Sequence, residues 1–189
     1  MTISLKRLCT LVGILVVTAG AVFLLQVGLL FHSTNRMVPG IPPMLSDYTY
    51  LGNDDVILQQ EDSDCGPAAL MNVFVHYGIG ASIEKVKTFV GTMENGTSML
   101  KLKQMAELKG LSAEGWIYMW EDFRKIDLPA IVLLRSNHYV VVESIPNERE
   151  LILIDPAIGR MMISQREFLR IWSGETLQMQ KADAYESAS

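Results

Sequence analysis

The sequence predicts an α+β domain, with a helical half followed by an antiparallel sheet, preceded by one transmembrane helix. Three observations predict it. An apolar run without charge opens the chain, apolar residues recur at helical spacing after residue 65, and short β-branched runs appear after residue 130. With 49% hydrophobic and 20% charged residues, the 189 residues suit a single packed domain and not a disordered chain.

From Leu8 to Phe31 there is no Asp, Glu, Lys or Arg. As a helix this run is about 36 Å long, enough to cross a hydrocarbon core of roughly 30 Å. Lys6 and Arg7 precede it and the next basic residue is Arg36. That bias keeps residues 1–7 cytoplasmic and makes 8–31 a single-pass anchor in the inner (cytoplasmic) membrane, with the remainder on the periplasmic or extracellular side. A cleaved signal peptide is the rival reading, but the run exceeds the usual apolar stretch of about 7–15 residues and no small-x-small site closes it. A buried core helix of this length would need a larger globule around it.

Residues 32–55 read as a connector, stiffened by Pro39, Pro42 and Pro43, with an edge strand around Tyr48 and Tyr50. The folded domain is expected over 56–178 and a polar tail over 179–189. After Cys65, the residues Leu70, Val73, Phe74 and Tyr77 describe one helix face, with Pro67 in the first turn and Gly78 at the end. Ser82 to Gly91 and Ser98 to Gly110 bracket two more helices, and Gly91 to Thr97 is a turn between them. Ile131–Leu134, Tyr139–Val142 and Leu151–Ile154 then read as adjacent antiparallel strands, with Pro146 and Asn147 connecting the last two. Ser164 and Glu167 form a capping-box pair for a last short helix through Phe168 and Ile171.

Several function classes are poorly supported. The formal charge of −5, with no basic stripe beyond the first residues, argues against nucleic acid as a partner. No Gly-rich loop ending in Lys and Ser or Thr occurs, so no ATP site is expected in this chain. Two cysteines and three scattered histidines offer no zinc-type spacing, so no metal and no cofactor are expected. The methionines from Met93 to Met105 read as core packing, with a peptide groove as the alternative.

Cys9 lies in the apolar run and Cys65 in the folded part, which leaves Cys65 a lone thiol. It stands at a helix N-terminus, where the dipole favours thiolate, although Asp64 beside it opposes ionisation unless its carboxylate turns away. A single cysteine also reads as buried filler. His138, at the start of an apolar strand, reads as a satisfied core group or as a side chain pointing into a cleft, and by elimination it is the base. His32 adjoins the apolar run, and His76 is eleven residues along the helix from Cys65, about 16 Å away. Asp155 ends the next strand, where it can orient the far ring nitrogen or serve as a turn aspartate before Pro156. Asn137 is set aside as orienter, because on a strand it faces opposite to His138. Gln59 can donate to an oxyanion with the Cys65 N–H, or be a surface glutamine; Gln60 faces the other way.

Gln59-Gln60-Glu61-Asp62-Ser63-Asp64-Cys65-Gly66, followed by Pro67-Ala68-Ala69-Leu70 and Tyr77-Gly78, resembles the nucleophile motif of the C39 peptidases, the double-glycine leader peptidases. The resemblance continues through Gly96-Thr97-Ser98, Gly110-Leu111, Leu128-Pro129-Ala130-Ile131, Asn137-His138-Tyr139, Asp155-Pro156-Ala157-Ile158-Gly159, Phe168 and Trp172-Ser173-Gly174. It implies a papain-like cysteine peptidase fold, with Cys65 as nucleophile, His138 as base and later acid, Asp155 as orienter and Gln59 as oxyanion donor. It also implies cleavage of a leader or exported peptide after Gly-Gly. The best-known members are fused to a transporter and act in the cytoplasm. Here no transporter part is found, and the layout is similar to stand-alone anchored forms that accompany export systems such as functional amyloid secretion. The partners expected are therefore a peptide or protein substrate, the membrane, and secretion machinery. Two alternatives share the scaffold: a non-catalytic peptide-binding accessory domain, and an amidase or transferase. A purely structural anchored domain would leave the four site residues unexplained.

Overall fold

A computed structural model of the protein describes residues 48–91 and 96–182. The expected membrane anchor at 8–31, most of the connector, His32, Met93 and the end of the tail lie outside these residues. Among the described residues no helix is long and apolar enough to cross a membrane.

Seven strands form one sheet: β1 (Tyr48–Gly52), β2 (Leu111–Ile117), β3 (Ala130–Leu134), β4 (His138–Asn147), β5 (Glu150–Asp155), β6 (Gly159–Ser164) and β7 (Trp172–Lys181). Their spatial order is β1-β6-β5-β4-β3-β7-β2, and the recorded pairings are antiparallel. The helices are α1 (Cys65–Tyr77), α2 (Ile83–Val90), α3 (Met99–Leu108), α4 (Trp120–Phe123) and α5 (Gln165–Ile171). The domain is thus α+β, with helices and an antiparallel sheet.

Alternation along the central strands explains the two cores. Ile131, Tyr139, Val141, Ile154 and Leu177 join the α1–α3 side, which also holds Cys65, Leu70, Val73 and Phe74. Val132, Val140, Val142, Leu151 and Leu153 join the opposite side with Phe123, Phe168 and Trp172. A strand covered on both faces needs no polar alternation, which is why Tyr139-Val140-Val141-Val142 reads as a continuous apolar run. On the second side the rings of Phe123 and Trp172 are 4.6 Å apart, and those of Phe168 and Trp172 are 5.0 Å apart.

The α1, α2 and α3 boundaries follow their punctuation. Gly78 and Gly91 end α1 and α2 in the left-handed region, and the Ser98 hydroxyl accepts from the Lys101 N–H at 3.4 Å. Ser82 holds the cap position of α2, but its hydroxyl donates to the Glu84 carboxylate and accepts from no backbone N–H. At α5 half of the expected capping box is recorded: Ser164 accepts from the Glu167 N–H at 3.2 Å, while the Glu167 carboxylate pairs with Arg170. Residues 92–95 of the predicted turn lie outside the described residues.

Three strands escaped the sequence reading. β2 alternates only at Leu111 and Ala113 before Gly115 and exposed residues. β6 opens on Gly159, where an added Cβ would meet the Gly52 carbonyl at 2.7 Å. β7 corrects the tail boundary at 179: the strand runs to Lys181 and buries Met179 between Gln178 and Gln180. One apolar residue in two is strand patterning, whereas its average polarity reads as a tail.

Candidate active site

The polypeptide enters the site along an extended segment that two anchors hold. The Gln59 N–H donates to the Pro156 carbonyl at 2.8 Å, which ties the segment to the loop just after Asp155. Asn72, buried on α1, accepts from the Ile57 N–H at 2.8 Å and donates to the Ile57 and Ala68 carbonyls at 2.9 and 2.8 Å. A 3₁₀ turn, Asp62–Asp64, then delivers Cys65 as the first residue of α1. Pro67 falls in the first turn, where its missing N–H has no intrahelical carbonyl to lose. Gly66 allows close packing behind the thiol: a Cβ there would meet Thr97 Cβ and Tyr139 Cδ2 at 3.3 Å each.

β3 and β4 form a tight hairpin in which His138 pairs with Leu134. Asn137 sits in its turn at φ 59 and is exposed, so it is a turn residue and not a strand neighbour on the opposite face. The β4–β5 register pairs Val141 with Ile154 and Val142 with Leu153. Continued to the strand end, it sets Asp155 across from Val140, two residues and hence one face from His138. Accordingly His138 Nε2 and Asp155 Oδ1 are 2.8 Å apart, both residues being buried. The Ala157 N–H also donates to Asp155 Oδ1 at 2.8 Å and fixes the carboxylate.

With Nε2 taken by Asp155, Nδ1 is left for the hydrogen bond between His138 and the Cys65 thiol. Burial pushes the Cys65 thiol up. The hydrogen bond from His138, the N–H groups of Tyr139 and Gly66, and the charge of His138 outweigh it and bring the thiol below its ordinary value. Burial pushes His138 down, yet the hydrogen bonds to Asp155 and Cys65 and the charges of both raise it to about 9. Both shifts act in the direction of a thiolate–imidazolium pair.

Cys65, His138 and Asp155 are thus brought together, with His138 hydrogen-bonded to Asp155 and acting on the thiol from its other side. Gln59 is tied by its backbone to the loop after Asp155. Its side-chain Nε2 donates to the Glu61 carbonyl at 3.2 Å, and its Oε1 is enclosed without a partner. The Asp64 carboxylate, only 1% exposed, meets Lys87 Nζ at 2.7 Å. His76 is exposed on α1, with its ring against Tyr77. Asn72 and Lys87 were not singled out from sequence. The signal for Asn72 was an amide inside an apolar helix face; Lys87, one helix away, gave none. Among the described residues no group of three or more His, Cys, Asp or Glu side chains could hold a metal ion.

An apolar groove of about 600 Å³ lies between α3 and the β2–β7 edge, lined by Met99, Leu100, Trp116, Ile117 and Leu177 among others. Tyr139 lies between the groove and the site, with its hydroxyl near the Met99 main chain and its own main chain adjoining the thiol. The methionines divide: Met105 is core and Met99 lines the groove.

A model of the peptidase C39 family matches residues 53–184. An uncharacterized protein of Methanothermobacter thermautotrophicus is 34% identical over 133 residues, which is 70% of this chain and 93% of that protein. The probable functional amyloid protease FapD of Pseudomonas aeruginosa is 28% identical over 132 residues, 64% of this chain and 58% of its own length. Among solved structures, a double glycine motif protease from an AMS/PCAT transporter, in complex with the leader peptide, matches with a TM-score of 0.65 at 29% identity. That match covers 72% of this chain and 99% of the other.

Proposed function

Because the chain belongs to the peptidase C39 family, we propose that it is a cysteine endopeptidase that cuts a leader or exported peptide after a Gly-Gly pair. The observation that carries this reading is the Cys65–His138–Asp155 line at the tip of α1, with a thiol held low and an imidazole raised to about 9. A buried filler cysteine has no need of a charged base behind it.

The mechanism follows from the geometry. The Cys65 thiolate attacks the scissile carbonyl carbon, and the carbonyl oxygen takes the negative charge. The Cys65 N–H and Gln59 Nε2 hold that oxyanion, the latter exchanging the Glu61 carbonyl for it. Imidazolium His138 gives its Nδ1 proton to the leaving amine, and a thioester remains on Cys65. His138 then takes a proton from water, the hydroxide attacks the thioester, and the carboxylate product leaves the thiolate–imidazolium pair restored. Asp155 keeps the ring oriented and stabilises its charge throughout.

Substrate class is supported by the solved double glycine motif protease, which is described in complex with a leader peptide. The groove reached through Tyr139 suits the apolar side chains of such a peptide. The reading extends to residues 8–31 as a retained anchor with the peptidase domain outside the cytoplasm, on the support of the uncharged run and of Lys6 and Arg7. It extends also to an export system as partner, supported by a transporter context in one relative and an amyloid context in another.

The test incubates the full-length chain, as wild type, Cys65→Ala and His138→Ala, with peptides carrying Gly-Gly sites, read by mass spectrometry. Cleavage after Gly-Gly by wild type alone is expected. Three inert proteins, with a thiol no more reactive than free cysteine, would leave a peptide-binding module in its place.

A further inference from the structure

Directly before the nucleophile stands a carboxylate that the cleavage chemistry does not use. Asp64 is 1% exposed. Its Oδ2 accepts from Lys87 Nζ at 2.7 Å and from the Glu61 N–H at 3.3 Å, and its Oδ1 is enclosed without a partner. Asp64 adjoins Cys65 along the chain, and a buried negative charge that faced a thiol which has to ionise would work against the thiolate. Lys87 comes from α2, which packs on α1, and its side chain is 22% exposed. Its ammonium also lies 3.9 Å from Glu61 Oε1.

We propose that Lys87 is a positioning residue for Cys65: its ammonium draws the Asp64 carboxylate towards α2 and neutralises it, so that the thiol ionises beside a closed ion pair and not beside a bare negative charge. The inference rests on the reading of Cys65 as the nucleophile.

The other charges around the thiol do not duplicate this role. From β4 come His138 and Tyr139, and Asp155 of β5 stands behind the histidine. Glu61 and Glu84 act on Lys87 and hold its ammonium protonated, after the larger effect of the Asp64 hydrogen bond. α3 also packs on α1, but its Lys103 is tied to Glu107 and to the Ala113 carbonyl, at 2.6 Å each. β3 carries no titratable side chain. Lys87 is the cation that meets Asp64.

The test measures alkylation of Cys65 by iodoacetamide against pH in the full-length protein, read on the Cys65 peptide by mass spectrometry so that Cys9 does not contribute. Lys87→Met is expected to raise the midpoint of the rate profile by about one pH unit, and Lys87→Arg to leave it near wild type. Asp64→Asn, which leaves the cation without its partner, is expected to lower the midpoint. The double variant Asp64→Asn/Lys87→Met carries neither charge and is expected to return to the wild-type midpoint. That variant also keeps the test decisive if Lys87→Met alone does not fold. A Lys87→Met midpoint equal to wild type, or a double variant shifted like the single one, would overturn the proposal while leaving the peptidase reading intact. A wild-type profile like that of free cysteine would overturn both.

Discussion

His138 and Asp155 are carried by neighbouring strands whose backbone pairing continues into β3, β6 and β7, whereas Cys65 stands on a helix tip held largely by side chains. On the strand side, register alone sets the two residues on one face, and the residues between them are core. On the helix side the geometry depends on Asn72 bracketing Ile57, on Lys87 meeting Asp64, and on Gly66 letting Tyr139 approach. Among the described residues, the enclosed polar side-chain atoms without a partner are Gln59 Oε1, Asp64 Oδ1 and Thr97 Oγ1. All three belong to the helix side or touch it. A backbone ladder holds the groups it carries whatever the neighbouring side chains are, while a tip built from side chains leaves hydrogen-bonding capacity unused. It is also the side that single substitutions disturb.

The largest expected effect is common to both sides: Cys65→Ala or His138→Ala should reduce peptide turnover by about 10³-fold or more, measured by single-turnover cleavage. Asp155→Asn should come next, with a loss on the order of 10²-fold or more in kcat. It should also move the alkaline limb of the pH profile below about 9, because His138 owes its elevation over burial to Asp155 first. The sign is that of a raised histidine. The stability contributed by the His138–Asp155 pair is full below the free imidazole value, about 6.5, and fades as pH rises through about 9. Denaturant midpoints for wild type and Asp155→Asn should therefore converge at alkaline pH.

Smaller changes separate the two sides. Asn72→Ala leaves the half-buried Ile57 N–H and carbonyl without their side-chain partner and should lower unfolding free energy by about 2 kcal/mol, together with a fall in Cys65 alkylation rate. Val132→Ala, a core truncation on the strand side, should cost about 2 kcal/mol in urea unfolding yet leave the alkylation profile where it is. Equal disturbance of the thiol by both would break the contrast. The smallest effect belongs to the exposed Lys125–Asp122 pair: Lys125→Ala should change stability by less than about 0.5 kcal/mol.

Much of this was legible in one dimension. The spacing of Leu70, Val73, Phe74 and Tyr77, the glycines at 78 and 91, and the runs at 131–134, 139–142 and 151–154 predicted elements that the structure contains, because local periodicity and punctuation report on faces and ends. Cys65 at a helix start and His138 and Asp155 at strand ends were readable for the same reason. β6 and β7 were not, since a strand opening on glycine or alternating only through Leu177 and Met179 among glutamines has no local excess of strand formers, and their pairing with β1, β5, β3 and β2 stabilises them. What the sequence by itself determined is the inventory: one thiol at a helix tip, one strand-end histidine, one strand-end aspartate, and the amide of Gln59 just upstream. What only the tertiary structure decided is which groups meet. The His138–Asp155 contact depends on β4–β5 register, and the Asp64–Lys87 contact on the packing of α1 against α2. Charge and hydrogen bonding act over a few ångströms of space, and no pattern along the chain records which residues from separate elements arrive within that distance.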